Sequence, residues 1–217
     1  MDVIYEDNHL LVANKPAGQL AQGDSTGRPT LLDEAKAWIK QAYDKPGNVY
    51  LGLVHRLDRP ASGVVVLART SKAASRLSEE IRAGRPRKVY WALVEGLTEE
   101  GGACLDYLVR DEYTSRVGTE SEGREARLRY VRKQHRDDTS GVEILLETGR
   151  HHQIRVQFAH RGHPVLGDRR YGSKRPFVDD AIALHAREMR ILHPTRKEEM
   201  RFVAEPGPGW SDEWLNS

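Results

Sequence analysis

The feature that most constrains this chain is Val64-Val65-Val66-Leu67-Ala68, an unbroken apolar run that opens on three valines. β-Branched side chains suit a pleated surface, so the run predicts a buried strand. A polar knot stands directly before it: Leu53-Val54-His55-Arg56-Leu57-Asp58-Arg59-Pro60-Ala61-Ser62-Gly63, with Gly63 marking the change. An Asp with arginines on both sides is not what a core needs, so the knot belongs in a loop held against the strand. Two readings fit it. One is a surface turn with ion pairs, each worth little. The other is a functional site.

A second stretch bears on that choice. Gly149-Arg150-His151-His152-Gln153-Ile154-Arg155-Val156 is followed by His160-Arg161-Gly162-His163-Pro164-Val165-Leu166-Gly167-Asp168 and then Tyr171-Gly172. Together the two stretches resemble the RluA family of pseudouridine synthases. That family shows His-Arg-Leu-Asp before a Thr-Ser-Gly-like turn, then Gly-Arg-x-His-Gln-Ile-Arg, Gly-His-Pro and Gly-Asp-x-x-Tyr-Gly. The first motif is intact at His55 to Asp58 and the second at Gly149 to Arg155, in the family's order. The resemblance runs from Ile4-Tyr5-Glu6-Asp7 and Asn14-Lys15-Pro16-Ala17-Gly18 to Leu184-His185-Ala186. Such a set is far more specific than any single short motif. Two positions depart from the pattern. Ala61 stands where threonine is more usual, and His151 replaces a frequent threonine. Both flank the matched positions, so they bear on loop packing or RNA fit.

Composition sets the outer bounds. With 217 residues the chain can bury one sizeable core or two small ones. No apolar stretch approaches the roughly 18 residues of a membrane span. The opening Met1-Asp2-Val3-Ile4-Tyr5-Glu6-Asp7 has neither a basic segment nor a long apolar one, so no signal peptide is expected. Cys104 is the single cysteine, which leaves no internal disulfide and no thiolate metal cluster. A cytoplasmic protein is the expectation. The net charge of +2 does not announce a nucleic-acid binder, and its distribution says more. Residues 55–91 and 149–178 together hold sixteen of the 34 Lys and Arg but only four of the 32 Asp and Glu. A polyanion docking across them would release counterions.

Along the chain, residues 3–7 and 9–14 read as short strands joined at Asp7-Asn8. Lys15-Pro16-Ala17-Gly18 starts a loop through Gly27. Thr30 is placed to cap a helix with Asp33 at its third position and Leu31, Leu32, Ala35, Trp38, Ile39 and Ala42 at helical spacing. Residues 49–54 form a strand into the knot. Thr70-Ser71 opens a second helix, striped by Ala73, Ala74, Leu77 and Ile81 and ended at Gly84. Strands follow over 87–96, 104–109, 126–132 and 142–147, with 110–125 expected as a flexible loop. Gly149-Arg150 is expected to open a third helix, whose Ile154, Val156, Phe158 and Ala159 make no single stripe. Strands over 181–191 and 200–204 come last. The tail from Glu205 is acidic and rich in Pro and Gly, with Trp210 and Trp214 placed to pack it down. Repeats and the βαβ rhythm of a parallel fold are both missing. The fold class expected is α+β: a mixed, largely antiparallel central sheet with flanking helices. The resemblance implies the same, as one catalytic domain over 1–217; members often carry a small N-terminal RNA-binding domain, and none is expected here because the catalytic pattern begins within the first five residues.

The reaction the resemblance implies is isomerisation of uridine to pseudouridine within RNA. The N1–C1′ bond breaks, the uracil turns, and C5 rejoins C1′. No redox change occurs, so no cofactor is expected, in keeping with a sequence that has neither GxGxxG nor a P-loop. By motif match Asp58 is the catalytic carboxylate, either attacking C1′ or taking a proton from C2′. Arg155 is the family's partner for it, since a guanidinium can hold a carboxylate bidentately. Tyr90 matches the tyrosine that stacks on the target base, and Leu184 the apolar residue on the base's other side. The target nucleotide must be extruded from any stem, and Arg56 is the residue to fill the gap. His55 is expected to order the loop by hydrogen bonding. Arg150, His152 and Gln153 complete the expected substrate contacts.

His151, His152, His160 and His163 invite a metal reading. A metal site wants convergent carboxylate or cysteine company. Only Asp168 is near, and adjacent histidines on a helix diverge, so no metal is expected. The partner expected is a ribosomal or transfer RNA stem-loop, met by a monomer and without a membrane. Two other classes remain open: a noncatalytic RNA-binding module that kept the fold, and a metal-dependent phosphodiesterase using the histidines.

Overall fold

In the computed structural model, which describes residues 1–23 and 27–210, the valine run lies in a strand buried along its whole length, Ser62–Ala68. In chain order the elements are β1 (Asp2–Glu6), β2 (Leu10–Lys15), α1 (Leu31–Ala42), β3 (Gly52–Leu53), β4 (Ser62–Ala68) and α2 (Ser71–Arg82). Then come β5 (Arg87–Glu95), β6 (Gly101–Arg110), β7 (Ser115–Gly118), β8 (Arg124–Arg136), β9 (Thr139–Leu146) and α3 (Gln153–His160). A single 3-10 turn (Arg169–Tyr171), β10 (Leu184–Leu192) and β11 (Glu199–Val203) close the series. Eleven strands and three α-helices among the described residues make the α+β class expected from the sequence. Backbone contacts divide the chain into two compact units, Met1–Arg87 with Ala186–Pro206, and Lys88–His185 with the segment from Gly207.

In the first unit β2 pairs antiparallel with both β1 and β4, and β3 adds two residues to the far end of β4. β10 follows β4 in the strand order and carries β11 antiparallel on its other side. One face of these strands and the α2 stripe bury Leu10, Val12, Val64, Val66, Ala73, Leu77, Met189, Ile191 and Phe202 together. Each large side chain removed from water there contributes about 1.5–3 kcal/mol. Gly63 is required by the sheet itself. Its φ is +117°, and a Cβ on it would lie 2.3 Å from the Ala186 carbonyl oxygen.

The expected Thr30 cap is present, and Thr70 caps the second helix. Thr30 and Asp33 exchange bonds in a capping box, and the Thr70 side chain accepts the Ala73 N–H at 3.1 Å. The Asp7 turn is built around its carboxylate. Oδ1 accepts the N–H groups of His9 and Leu10 at 2.7 and 2.8 Å, while Oδ2 takes the Tyr5 hydroxyl and His193 Nε2. Burial alone would raise this carboxyl, but those bonds hold it down at about 2. Its folded pKa lies below the unfolded one, so its contribution is complete above about pH 4 and is lost as pH falls toward 2. Asp7→Asn should therefore lower stability at pH 7 by about 2 kcal/mol. Urea titrations should show the gap to wild type closing between pH 4 and pH 2; a gap constant over that range would refute the assignment.

In the second unit the strand order is β5-β9-β8-β6-β7, antiparallel throughout. Three expectations need correction here and in the first unit. Residues 110–125 are not simply a loop: β7 folds back on the end of β6, because Val117 packs on Leu108, Ala126 and Val156. The strand expected over 49–54 shrinks to Gly52–Leu53, the only residues that reach β4. The third helix opens at Gln153, not Gly149, because His152 takes a left-handed conformation, φ +53°. The lack of a single apolar stripe on that helix goes with burial all round, since every residue from Gln153 to Phe158 is buried. In the tail, Trp210 lies against Phe177 and His185. Trp214, like residues 24–26 of the loop expected to run to Gly27, lies outside the described residues. Among the described residues no helix is long and apolar enough to cross a membrane.

Candidate active site

The Asp58 loop is held by side-chain and main-chain bonds. His55 Nε2 accepts the Val66 N–H of β4 at 2.9 Å. The Ala61 N–H closes a turn on the Asp58 carbonyl at 3.1 Å, and the Gly18 N–H meets the Arg59 carbonyl at 2.9 Å. Leu57 is buried beneath the loop, Asp58 is partly exposed, and Arg56 is exposed.

Lys15 ties the loop to the end of β2, a role the sequence reading did not assign. Its side chain is fully buried. Its ammonium donates to the carbonyls of Pro16, Gln19 and Arg59 at 2.9, 2.8 and 3.2 Å, which uses all three of its protons. Burial pushes this ammonium down to about 7, against the pull of the Asp58 carboxylate. The available signal was a lysine closing the otherwise apolar strand Leu10–Ala13, directly before Pro16.

In the second unit the Gly149–Arg155 motif makes a turn and the start of α3. Arg155 is 4% exposed and Asp168 is 2% exposed, and they form a bidentate pair: Nε to Oδ2 at 2.6 Å and Nη2 to Oδ1 at 2.9 Å. The guanidinium also lies 5.0 Å from the centre of the Tyr171 ring. Asp168 and Tyr171 were matched as motif letters only; the structure gives both a partner in Arg155. The Tyr171 hydroxyl meets His152 Nδ1 at 2.7 Å and accepts the Ser115 N–H at 2.9 Å. His151 and His152 do not diverge on a helix. They precede it, and their rings stack at 3.7 Å, with His151 Nδ1 bonded to Ser115 Oγ at 2.9 Å. Among the described residues no group of three His, Cys, Asp or Glu converges as metal ligands.

Gln153 turns inward. Its oxygen accepts from Thr148 Oγ1 and the Arg150 N–H, and its nitrogen donates to the Arg127 carbonyl. Arg150 Nε is held by the Glu125 carbonyl at 2.8 Å. Asp106 fixes the far end of α3 through Gln157 and Arg161 at 2.7 and 2.8 Å. Burial would raise that carboxyl, but these bonds hold it below its usual range. Glu95 fixes the segment after Asp168 by accepting from Ser173 Oγ and the N–H groups of Lys174 and Arg175. Tyr90 stands opposite Ile144, which stands opposite Tyr130, whose ring meets Phe158 of α3. Tyr90 therefore sits on the face of the strands that α3 covers. Leu184 is buried at the start of β10.

Known proteins match this arrangement along the chain. The model of the family described as RNA pseudouridylate synthase matches residues 9–160. A ribosomal large subunit pseudouridine synthase D from Xylella fastidiosa is 37% identical, covering 94% of this chain and 65% of that protein. A ribosomal large subunit pseudouridine synthase C from Vibrio parahaemolyticus is 31% identical, covering 93% of this chain and 64% of that protein. The chain thus spans just under two thirds of the length of these relatives. Among solved structures, human RNA pseudouridylate synthase domain containing 4 superposes with a TM-score of 0.80 at 22% identity, covering 95% of this chain and 89% of that one, a likeness of fold. By the extent of the family match and of these relatives, the chain belongs to the RNA pseudouridylate synthases, the RluA family its motifs resemble.

Proposed function

We propose that this chain isomerises uridines in structured RNA to pseudouridine, with Asp58 as the catalytic carboxylate. The observation that carries the reading is the fixation of the Asp58 loop. Its neighbours are locked by His55, by two main-chain bonds and by the buried Lys15, while the carboxylate stays partly exposed. A surface turn with ion pairs has no need of a buried ammonium under it, whereas a carboxylate that must meet one carbon of a sugar does. Asp58 attacks C1′ or takes the C2′ proton as the N1–C1′ bond breaks with its electron pair leaving on the uracil; the uracil turns, C5 bonds to C1′ as the Asp58–C1′ bond breaks or as the proton returns to C2′, and the C5 proton leaves while N1 takes one up. Tyr90 and Leu184 hold the base, Arg155 serves the carboxylate, and Arg56 takes the place of the extruded nucleotide. Bond breaking and making balance within one nucleotide, so no step needs a Lewis acid or redox partner. The names of the relatives direct the first test to large-subunit ribosomal RNA, with transfer RNA as the second substrate.

The experiment is pseudouridine mapping of total RNA from cells with and without the gene, with purified chain then added to the RNA that lacks the mark. Sites that vanish with the gene and return with the chain support the reading; an unchanged map in both arms sinks it. RNA affinity is expected to fall steeply with salt, because the two motif-bearing stretches hold sixteen cations against four acids. With about five phosphate contacts, tripling the salt should weaken binding on the order of a hundredfold. A flat response in filter binding would mean that those stretches do not touch RNA.

A further inference from the structure

Lys88 and Arg150 stand together without an acid. Lys88 is half-buried near the start of β5, and a Cβ on Gly149 would lie 3.6 Å from its ammonium. Arg150 is held through Nε by a main-chain oxygen of Glu125, while the carboxylate of Glu125 is paired with Arg127 at 2.8 Å. Among the described residues no ion pair neutralises either cation. Burial lowers the Lys88 ammonium, and the neighbouring Arg150 lowers it further. Among the described residues nothing repays keeping two cations side by side with one of them half-buried. An anion placed between them would.

The strand geometry says which anion. Lys88 and Tyr90 are two residues apart on β5, so their side chains leave the same face, about 6.5–7 Å apart along the strand. That is the scale of separation between the base of a nucleotide and its own backbone phosphate. We infer that Lys88 and Arg150 form an anion subsite for the phosphate flanking the target uridine, an inference that rests on the proposed isomerase reading and on Tyr90 meeting the base. The ammonium provides a point charge, and the outer nitrogens of Arg150 provide a planar donor pair anchored from behind by Glu125. Gly149 keeps the approach open, with Lys88 the one neighbour a Cβ would meet within 4 Å.

The test uses the whole chain, an RNA stem-loop substrate, and the same RNA with one neutral methylphosphonate beside the target uridine. Lys88→Met should raise KM about tenfold, with a smaller effect on kcat, and should reduce the salt slope of binding by about one. Lys88→Arg should recover most of the loss. The methylphosphonate should weaken binding by wild type, yet add little to the loss already present in Lys88→Met. Fully additive losses, or wild-type affinity and salt slope in Lys88→Met, would overturn the subsite while leaving the isomerase reading intact. A wild-type chain inactive on every mapped RNA would instead overturn that reading, and the subsite with it. Thermal unfolding guards against a structural explanation. Removing a half-buried cation should leave Tm unchanged or raise it, and a large fall would assign Lys88 to the fold instead.

Discussion

Asp58→Asn is expected to remove pseudouridine formation, by on the order of a thousandfold or more, while fold and RNA affinity stay close to wild type. The exchange is nearly isosteric and deletes only the anionic oxygen that must attack C1′ or accept the C2′ proton. The loop should survive it, because it is anchored through the carbonyls of Asp58 and Arg59, the N–H groups of Gly18 and Ala61, and the His55 ring. One secondary effect has a definite sign. The Asp58 charge pulls Lys15 upward against burial, so Asn at this position should drive Lys15 further below its value of about 7. A lysine whose folded pKa lies below its unfolded one makes the fold weaker in acid, and that weakness lifts as pH rises from about 7 toward 10.5. Asp58→Asn should therefore be slightly less stable than wild type at pH 6 and level with it near pH 10. Turnover within tenfold of wild type, measured as tritium release from C5-labelled uridine in RNA, would remove Asp58 from the catalytic role.

What was legible in the sequence was whatever local chemistry decides. The valine run, the Thr30 and Thr70 caps and the α2 stripe are all written within one element, and the structure has each where the residues put it. The 110–125 segment failed because its order comes from elsewhere. Val117 needs Leu108, Ala126 and Val156 beneath it, and Ser115 needs the Tyr171 hydroxyl, a residue far along the chain. The start of α3 failed for a different reason. Three polar residues with a histidine in the left-handed region carry no propensity signal that separates a turn from a first helical turn. The motifs mark a candidate site but not its wiring. Asp168 reads in sequence as one letter among loop residues, and only the structure sets both its oxygens on Arg155. Lys15 reads as the end of a strand, and only its burial reveals three carbonyls waiting for its protons.

Arg155→Ala is the second variant with a large expected effect, and it should act twice. In the proposed reaction it removes the guanidinium that serves Asp58, with activity falling on the order of a hundredfold or more. In the fold it strands Asp168, which is 2% exposed and gives both its oxygens to Arg155. Leaving a buried carboxylate without its partner commonly costs about 3–5 kcal/mol. The Tyr171 ring also loses the cation beside it, a smaller loss. The two roles separate in a double variant. Adding Asp168→Asn to Arg155→Ala removes the stranded charge, so most of the lost stability should return while activity does not. Arg155→Lys should fall between wild type and Arg155→Ala in turnover, because the charge stays and the two-pronged grip on Asp168 is lost. Urea titration gives the stability of each variant, and single-turnover kinetics on one RNA gives its rate. A double variant that regains turnover along with stability would make Arg155 a structural residue whose only task is to neutralise Asp168. A double variant that is stable and inactive places Arg155 in the reaction.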